Sequence, residues 1–325
     1  MYRKDPFIPW EVKHACGKNT RHYYIRFTDI EIKIERLKEN KEISALFQLI
    51  DDPDEDVYQT VSERLVSFGK DIIPNLEDLW EHTTSEEVQE RIELLIHRLH
   101  FRDLTTDFIN WRDGDADLLT GALLVARYHY PDMASSSVMQ EIEKLRRNTW
   151  LELNNYLTPM EQVNVTTGII YNYYKQKGVE FAYDNPDDYL INKALESKKG
   201  NAISNGIIYL VICELLDIPV KAINIPRQFI LAYMDPQNHL INPVGHASEK
   251  ISFYVDPMNG QMYSHKDVEG YFKRISVPPV ASYFRPLNNL RIIQYLLEEL
   301  AKCFDNDRNR YKMEELISLA SLLDP

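Results

Sequence analysis

The segment from Gly200 to Gly260 constrains the fold more than any other part of the 325-residue chain. It begins with a glycine turn and an apolar run from Ile207 to Cys213, which is typical of a buried helix and too short to span a bilayer. The stretches NIPRQFILAYMD at 224–235 and ISFYVDPMNG at 251–260 predict paired strands. Together these signals predict a helix packed on a small antiparallel sheet.

Such a scaffold can assemble a Cys-His-Asp site from distant positions in the chain. The nucleophile of such a site is a thiolate, and the N-terminus of a helix lowers the thiol pKa by placing partial positive charge beside it. An imidazole must reach the sulfur, and a third group must hold the imidazole. In this segment only the third group is evident, as Asp256 in the sequence Val-Asp-Pro.

The charge of the chain narrows the classes of partner. Its 50 acidic and 37 basic residues give a formal charge of -13, whereas a surface that binds nucleic acid needs clustered lysine and arginine. We therefore expect no nucleic-acid partner. We also expect no membrane partner, because no apolar run could span a bilayer. The N-terminal residues lack the apolar region of a secretory signal, so we expect a cytoplasmic protein.

No cofactor or metal is expected. The three cysteines are far apart and odd in number, which favours neither a disulfide framework nor a zinc ribbon. Two groups contain residues that ligate zinc, but neither has a full set of four ligands: His14, Cys16 and His22, and the helix pair His97 and His100.

Three acidic residues have the spacing of a calcium loop. Asp113, Asp115 and Asp117 alternate as the first ligands of such a loop do. The twelfth position, where a bidentate glutamate is required, is Leu124. A charged turn whose acids favour the N-terminus of the following helix is the simpler interpretation.

The chain divides in sequence into four parts. Residues 1–40 form an N-terminal extension without clear periodicity, and residues 41–157 show the three- and four-residue spacing of helices. The core, 158–275, opens with the helix start Thr-Pro-Met-Glu, and after the prolines that follow it residues 284–325 predict one helical hairpin. The predicted fold class is therefore α+β and mostly α-helical.

Residues 158–274 resemble a bacterial transglutaminase-like family whose members are associated with regulation of invasion-gene expression and often carry tetratricopeptide units. The resemblance lies in ESKKGNAIS at 196–204, IIYLVICELLDIPV at 207–220, NIPRQFILAY at 224–233 and VDPMNG at 255–260. The stretch LIDDPDEDV also resembles a HEAT-type repeat and the N-terminal half of such proteins from Bacteroidetes. The resemblance implies HEAT-like helices, a papain/transglutaminase-like core and a tetratricopeptide-like hairpin.

The resemblance also locates the catalytic positions, and two of them lack the expected chemistry. Active members carry the nucleophile two residues after the glycine of the turn, which here is Ala202. Regulator-like members usually have proline there and keep a histidine in the motif Asn-Leu-Pro-x-His-Phe. In this chain 224–229 reads NIPRQF, so the position of the base is Gln228. Asp256 matches the aspartate of the Asp-Pro motif.

Other residues offer alternatives to the lost groups. Ser204 lies near the helix start and is either a substitute nucleophile or a helix-capping hydroxyl. Cys213 lies about three turns further along the apolar helix, where a buried structural thiol is favoured. His239 and His246 lie between the two strands and are candidates for a substitute base. Without an imidazole to hold, Asp256 has a structural task as well, because its carboxylate can accept backbone amides in the Asp-Pro turn.

Two functions follow from these alternatives. The first is a non-catalytic binding or regulatory scaffold that holds a protein or peptide partner in the former cleft. We expect that cleft to be lined by Asn201, Asn205, Asn224, Arg227 and Tyr209. Arg227 there would either form a surface salt bridge or suit an acidic ligand. The second is a hydrolase or acyl transferase, of the amidase or protease type, that uses Ser204.

Overall fold

A computed structural model of the protein describes residues 41–235, 250–306 and 309–324. The predictions that involve the extension 1–40, with His14, Cys16 and His22, and those for His239 and His246 lie outside the described residues. The chain forms two compact units, one ending at Leu99 and the other beginning at His100. The predicted domain limits at 41–157, 158–275 and 284–325 stay predictions of sequence organisation.

The first unit is helical. Residues 41–47 are helical, and three longer helices follow: α1 (Glu55–Ser67), α2 (Ile73–His82) and α3 (Glu86–Asp113), the last of which continues beyond Leu99. Helix α1 begins after Asp54, whose carboxylate accepts the amide of Asp56 at 3.0 Å and caps the helix. Side chains at helical spacing meet in one core that includes Leu65, Leu76 and Ile92, each 0% exposed.

The second unit is built around a helix that is apolar on all sides. Helices before it are α4 (Leu118–His129), α5 (Ser135–Glu152), α6 (Pro159–Thr167) and α7 (Ile191–Ser197), and the central helix is α8 (Ala202–Leu215). The predicted start of α6 is confirmed as a capping box between Thr158 and Glu161. Every residue of α8 from Ala202 to Cys213 is buried, as expected of a helix without a polar face.

Helix α8 packs on a four-stranded antiparallel sheet. Its strands are β3 (Val220–Ile225), β4 (Gln228–Met234), β5 (Ile251–Val255) and β6 (Met262–Tyr263), in that spatial order, and a separate parallel pair joins β1 (Lys177–Gly178) to β2 (Lys199–Gly200). Successive residues of a strand point to opposite faces. Accordingly Val220 and Ala222 join the core with α8, whereas Ile223 and Ile225 join a second cluster on the other face.

Helix α9 (His265–Ile275) contributes Val268 and Phe272 to the cluster on that second face. The chain ends in the predicted hairpin, formed by α10 (Asn289–Ala301) and α11 (Arg310–Ser321). The apolar side chains of the hairpin, among them Leu296 and Leu319, belong to the same core as α8. The fold is thus α+β and mostly α-helical, as predicted; the HEAT-like and tetratricopeptide-like character of its helices stays a prediction.

Candidate functional site

A cavity of about 570 Å³ lies beside the N-terminus of α8. Its wall contains all three positions that the sequence assigns to a triad, Ala202, Gln228 and Asp256, although they are far apart in the chain. The β3–β4 hairpin and helix α9 supply most of the remaining wall. The antiparallel sheet therefore brings the three positions to one concave surface.

Ala202 is the first residue of α8 and is 6% exposed. The preceding residue, Asn201, caps the helix, because its Oδ1 accepts the amides of Ile203 at 2.9 Å and Ser204 at 3.0 Å. A side chain at position 202 therefore lies where the helix concentrates partial positive charge. The methyl group of alanine has no nucleophilic atom to use that charge.

Gln228 is the exposed first residue of β4 and pairs with Ile225 across a two-residue turn. The second residue of that turn, Arg227, has a φ of 63°, in the left-handed region that favours glycine. The hairpin thus holds Gln228 at the cavity wall. An amide donates and accepts hydrogen bonds but takes no proton at neutral pH.

Asp256 follows β5 and is half-buried. Its Oδ1 accepts the amide of Met258 at 2.8 Å, which is the structural task that the sequence predicts for it. Burial raises the pKa of the Asp256 carboxyl above its ordinary value, and the hydrogen bonds from Met258 and the Tyr263 hydroxyl offset this only in part. The carboxylate is therefore already engaged by its own turn and by Tyr263.

Ser204 is fully buried in the first turn of α8, as its third residue. One interpretation of the sequence makes Ser204 the capping residue of α8, but the structure gives that role to Asn201. Its Oγ donates to the carbonyl oxygen of Asp188 at 2.7 Å. The structure thus does not bring Ser204 to the cavity wall that contains the three triad positions.

Three residues predicted to line the cleft are instead in the interior. Asn201, Asn205 and Tyr209 are each 0% exposed and are absent from the cavity wall. The cause is that α8 is packed on all sides, so that its polar side chains bond to buried backbone groups rather than face a groove. The Tyr209 hydroxyl, for example, donates to the carbonyl oxygen of Val163 at 3.2 Å.

Asn205 has the most bonds of the three. Its Nδ2 donates to the carbonyl oxygens of Lys177 and Gly200 at 3.1 Å each, and its Oδ1 accepts from Gln176 Nε2 at 2.9 Å. These bonds connect the first turn of α8 to β1 and β2. The glycine of the turn is required at this close approach, because a Cβ on Gly200 would lie 2.4 Å from Ser204 Oγ.

The other two predicted cleft residues are at concave surfaces. Arg227 lines the main cavity, and both Arg227 and Asn224 line a neighbouring cavity of about 600 Å³. The two cavities share the wall residues Phe181, Ile225 and Arg227 and are therefore adjacent; together they are called the groove.

Sequence reasoning missed the charged residues of helix α9. Lys266, Asp267 and Arg274 line the main cavity, although the segment is distinguished in sequence only by an amphipathic pattern after Ser264. The serine and Asp267 form a capping box, which is the one local signal in that segment. That signal locates a helix start but gives no indication that the helix borders a cavity.

The remaining candidate sites that fall on described residues have structural roles or lack the further groups that the predicted chemistry needs. Within the three described ranges, no group of three or more histidine, cysteine or acidic side chains could hold a metal ion. Asp117 caps α4 by accepting the amide of Thr120 at 2.8 Å, in line with the charged-turn interpretation. Cys213 is fully buried, and burial raises the pKa of its thiol. Nowhere in the described part of the chain is a helix both long and apolar enough to cross a membrane.

Comparison with known proteins agrees with this architecture. The family model of the transglutaminase-like superfamily matches residues 136–298, half of the chain. The chain is 23% identical over 188 residues to the UPF0162 protein YchA of Escherichia coli strain K12, covering 57% of this chain and 65% of that protein. It is 24% identical over 199 residues to Protein SirB1 of Salmonella typhimurium, covering 60% of this chain and 69% of the relative.

A UPF0162 protein of Xylella fastidiosa strain Temecula1 is 26% identical over 137 residues, 39% of this chain and 48% of that protein. The chain thus covers less than two thirds of the length of the Escherichia coli relative. No solved structure matches the chain.

Proposed function

The chain belongs to the transglutaminase-like superfamily, and from this premise we propose that it acts as a non-catalytic binding or regulatory scaffold. One observation carries the proposal. The positions that correspond to the nucleophile and the base hold Ala202 and Gln228, and both line one cavity with Asp256. An alanine methyl group and a neutral amide cannot act as nucleophile and base, which supports a binding role for the cavity over a catalytic one.

Two tyrosine hydroxyls border the cavity, and both are poor candidates for a replacement nucleophile. The hydroxyl of Tyr271 donates to the carbonyl oxygen of Pro226 at 2.7 Å, and that of Tyr263 bonds Asp256. Burial raises the pKa of both phenols, which keeps them protonated at neutral pH. A phenol that is protonated and already donating its hydrogen is a poor nucleophile.

The alternative function, a hydrolase or acyl transferase using Ser204, has little support from the geometry. A serine nucleophile needs a base within hydrogen-bond reach and a position open to substrate. Ser204 is 0% exposed, and its hydroxyl is donated to a backbone carbonyl. No histidine of the described segments forms a hydrogen bond with it.

The groove suits a binding function. A volume of about 570 Å³ lies within the range of about 300–1,000 Å³ that is common for ligand sites. The adjacent cavity has a volume of about 600 Å³. Two adjacent cavities of this size fit an extended peptide or a protruding segment of a partner protein better than a compact metabolite.

Gln228→Trp tests the proposal by filling the groove from its wall. We expect the wild-type protein to retain a partner from lysate of its native organism, and Gln228→Trp to lose the same partner. Gln140→Trp is the matched control, because Gln140 is an exposed residue of α5 away from both cavities. Equal retention by all three proteins would contradict a role for the groove.

A fluorophosphonate probe tests the catalytic alternative directly. We expect no labelling of the folded wild-type protein, because Ser204 is buried and its hydroxyl is engaged. Stoichiometric labelling that disappears in Ser204→Ala would overturn the proposal in favour of a serine enzyme.

A further inference from the structure

Three cationic side chains line the main cavity: Arg227, Lys266 and Arg274. Along the residues that the structure describes, none of the three forms an ion pair with a carboxylate within 4 Å. Arginines elsewhere in the chain do so, for example Arg127 with Asp107 at 2.9 Å. The same wall contains three carboxylates, so its formal charge is balanced, and what distinguishes the three cations is that none of them is neutralised by direct contact with an acid among the described residues.

Two of the three acidic residues in the same wall are held by hydrogen bonds within their own turns. Asp267 accepts hydrogen bonds from both the amide and the hydroxyl of Ser264 at 2.7 Å and is thereby held in the cap of α9. Asp256 is held by the amide of Met258 at 2.8 Å. Glu180 is the remaining carboxylate of the wall.

Tyr271 connects two of the cations. Its hydroxyl donates to the carbonyl oxygen of Pro226, the residue before Arg227, at 2.7 Å. The guanidinium carbon of Arg274 lies 5.9 Å from the centre of the Tyr271 ring. Positive charge from both arginines acts on the pKa of Tyr271, although burial has the larger effect and raises it. The Arg274 guanidinium therefore lies near the Tyr271 ring, and the hydroxyl of that ring bonds the backbone next to Arg227.

The groove continues from these cations into an aromatic region. Arg227 lines both cavities, and the neighbouring cavity also contains Tyr183, Tyr283 and Tyr295. Aromatic side chains bind apolar and aromatic ligand groups with little loss of conformational entropy. A ligand that spans the groove would thus carry negative charge at one end and apolar side chains at the other.

We propose that Arg227, Lys266 and Arg274 form a subsite for the carboxylate of an acidic peptide segment, whose neighbouring side chains lie in the tyrosine-lined cavity. The inference rests on the proposed binding function and specifies its ligand. Arginine matches a carboxylate in geometry through paired N–H donors. Because the wall is balanced at three cationic and three acidic residues, a singly charged carboxylate adds less net negative charge to the cavity than a phosphate dianion does.

Selection from two matched peptide libraries tests this inference on the full chain. The libraries are equal in length and randomised around a central Glu or a central Gln. We expect the wild-type protein to enrich the Glu library, and the affinity of a selected peptide to fall as the salt concentration rises. A third library, with a central phosphoserine, distinguishes a phosphate ligand from a carboxylate.

Arg227→Gln and Arg274→Gln should each raise the dissociation constant of the selected peptide about tenfold, since each removes a charge-assisted hydrogen bond. Fluorescence anisotropy of the labelled peptide measures this change. Lys273→Gln is the control, because it also removes one positive charge from α9, at an exposed position outside the cavity wall. This variant should change the affinity for the peptide less than twofold. Because Arg274 is an exposed residue of α9, we expect Arg274→Gln to keep the fold. The test therefore remains decisive even if Arg227→Gln misfolds.

Each contrary outcome has a separate meaning. Equal affinity for the Glu and Gln forms of a selected peptide would overturn the carboxylate subsite and leave the binding scaffold intact. Preference for phosphoserine, or selection of no peptide at all, would also overturn it. Labelling of Ser204 by a fluorophosphonate would instead overturn the scaffold proposal, whatever the charge of the peptide.

Discussion

Asn205→Ala removes the side chain that connects the first turn of α8 to β1 and β2. Three hydrogen bonds disappear: two from Nδ2 to the carbonyl oxygens of Lys177 and Gly200 at 3.1 Å, and one from Gln176 Nε2 at 2.9 Å. Because Asn205 is fully buried, water cannot replace these bonds. Since this turn carries Ala202, the bonds also set the position of the cavity wall.

The expected loss of unfolding free energy follows from these contacts. Each net hydrogen bond contributes about 1 kcal/mol, and buried groups left without partners add to the cost of removing it. Alanine is a better helix former than asparagine by about 0.6 kcal/mol, which offsets part of the loss. We therefore expect Asn205→Ala to destabilise the second unit by about 2–4 kcal/mol.

Urea unfolding followed by tryptophan fluorescence measures this loss. With Trp10→Phe and Trp80→Phe in the background, the remaining tryptophans, Trp111 and Trp150, report on the second unit. Asn164→Ala is the matched control, because Asn164 is an exposed residue of α6. We expect the control to change the stability by less than about 0.5 kcal/mol.

A double-mutant cycle identifies the bond between the two amides. Gln176→Ala, Asn205→Ala and the double variant should give a coupling energy of about 0.5–3 kcal/mol, because the two side chains contact each other directly. The reasoning is refuted if Asn205→Ala costs less than about 1 kcal/mol or if the coupling is zero.

Three further predictions address packing, charge and thiol reactivity. Gly206→Ala should destabilise the protein by about 1–3 kcal/mol in urea unfolding, because the added Cβ would lie 2.6 Å from a ring carbon of Phe229. Gly168→Ala should instead stabilise the protein by about 0.5–1 kcal/mol, because its Cβ would have no neighbour within 4 Å and alanine favours the helical backbone more than glycine does. Asp256→Asn should raise the urea midpoint more at pH 7 than at pH 4. Burial raises the pKa of the Asp256 carboxyl in the folded protein, so its protonated form stabilises the fold at low pH and this stability is lost as the pH rises through the folded-state pKa, whereas asparagine stays neutral at both pH values. An equal shift at both pH values would contradict this. Iodoacetamide should modify Cys213 at pH 8 only on unfolding, because burial raises its pKa, and mass spectrometry of the native protein checks this.

The sequence predicts the elements of the fold because their signals are local. A helix that is apolar on all sides must be buried, so the long apolar run from Ile207 places α8 at the centre. The strands at Val220–Ile225 and Gln228–Met234 follow from β-branched and aromatic content around a short turn. The start of α6 at Pro159–Thr167 follows from its capping residues.

The interior of the site was harder to predict because it depends on contacts between distant residues. Asparagine at the start of a helix can face a groove or bond to buried carbonyl groups, and Asn205 does the latter because β1 and β2 pack against its turn. The parallel pair itself is only two residues long on each side and leaves no periodic signal. Likewise, nothing in the sequence around Arg274 indicates that α9 borders the cavity beside Arg227.

The scaffold should support thiol chemistry if its missing groups are restored, since positions 202, 228 and 256 share one cavity. In Ala202→Cys the new thiol lies at the N-terminus of α8, where the helix lowers the pKa of a thiol. Adding Gln228→His should lower that pKa further, because an imidazolium stabilises a nearby thiolate. We expect the pH profile of alkylation by iodoacetamide to shift to lower pH in the double variant relative to Ala202→Cys alone, with Cys16→Ser and Cys303→Ser in both because Cys213 is buried. Identical profiles would mean that side chains at positions 202 and 228 do not meet in the cavity, and would contradict the shared geometry on which this expectation rests.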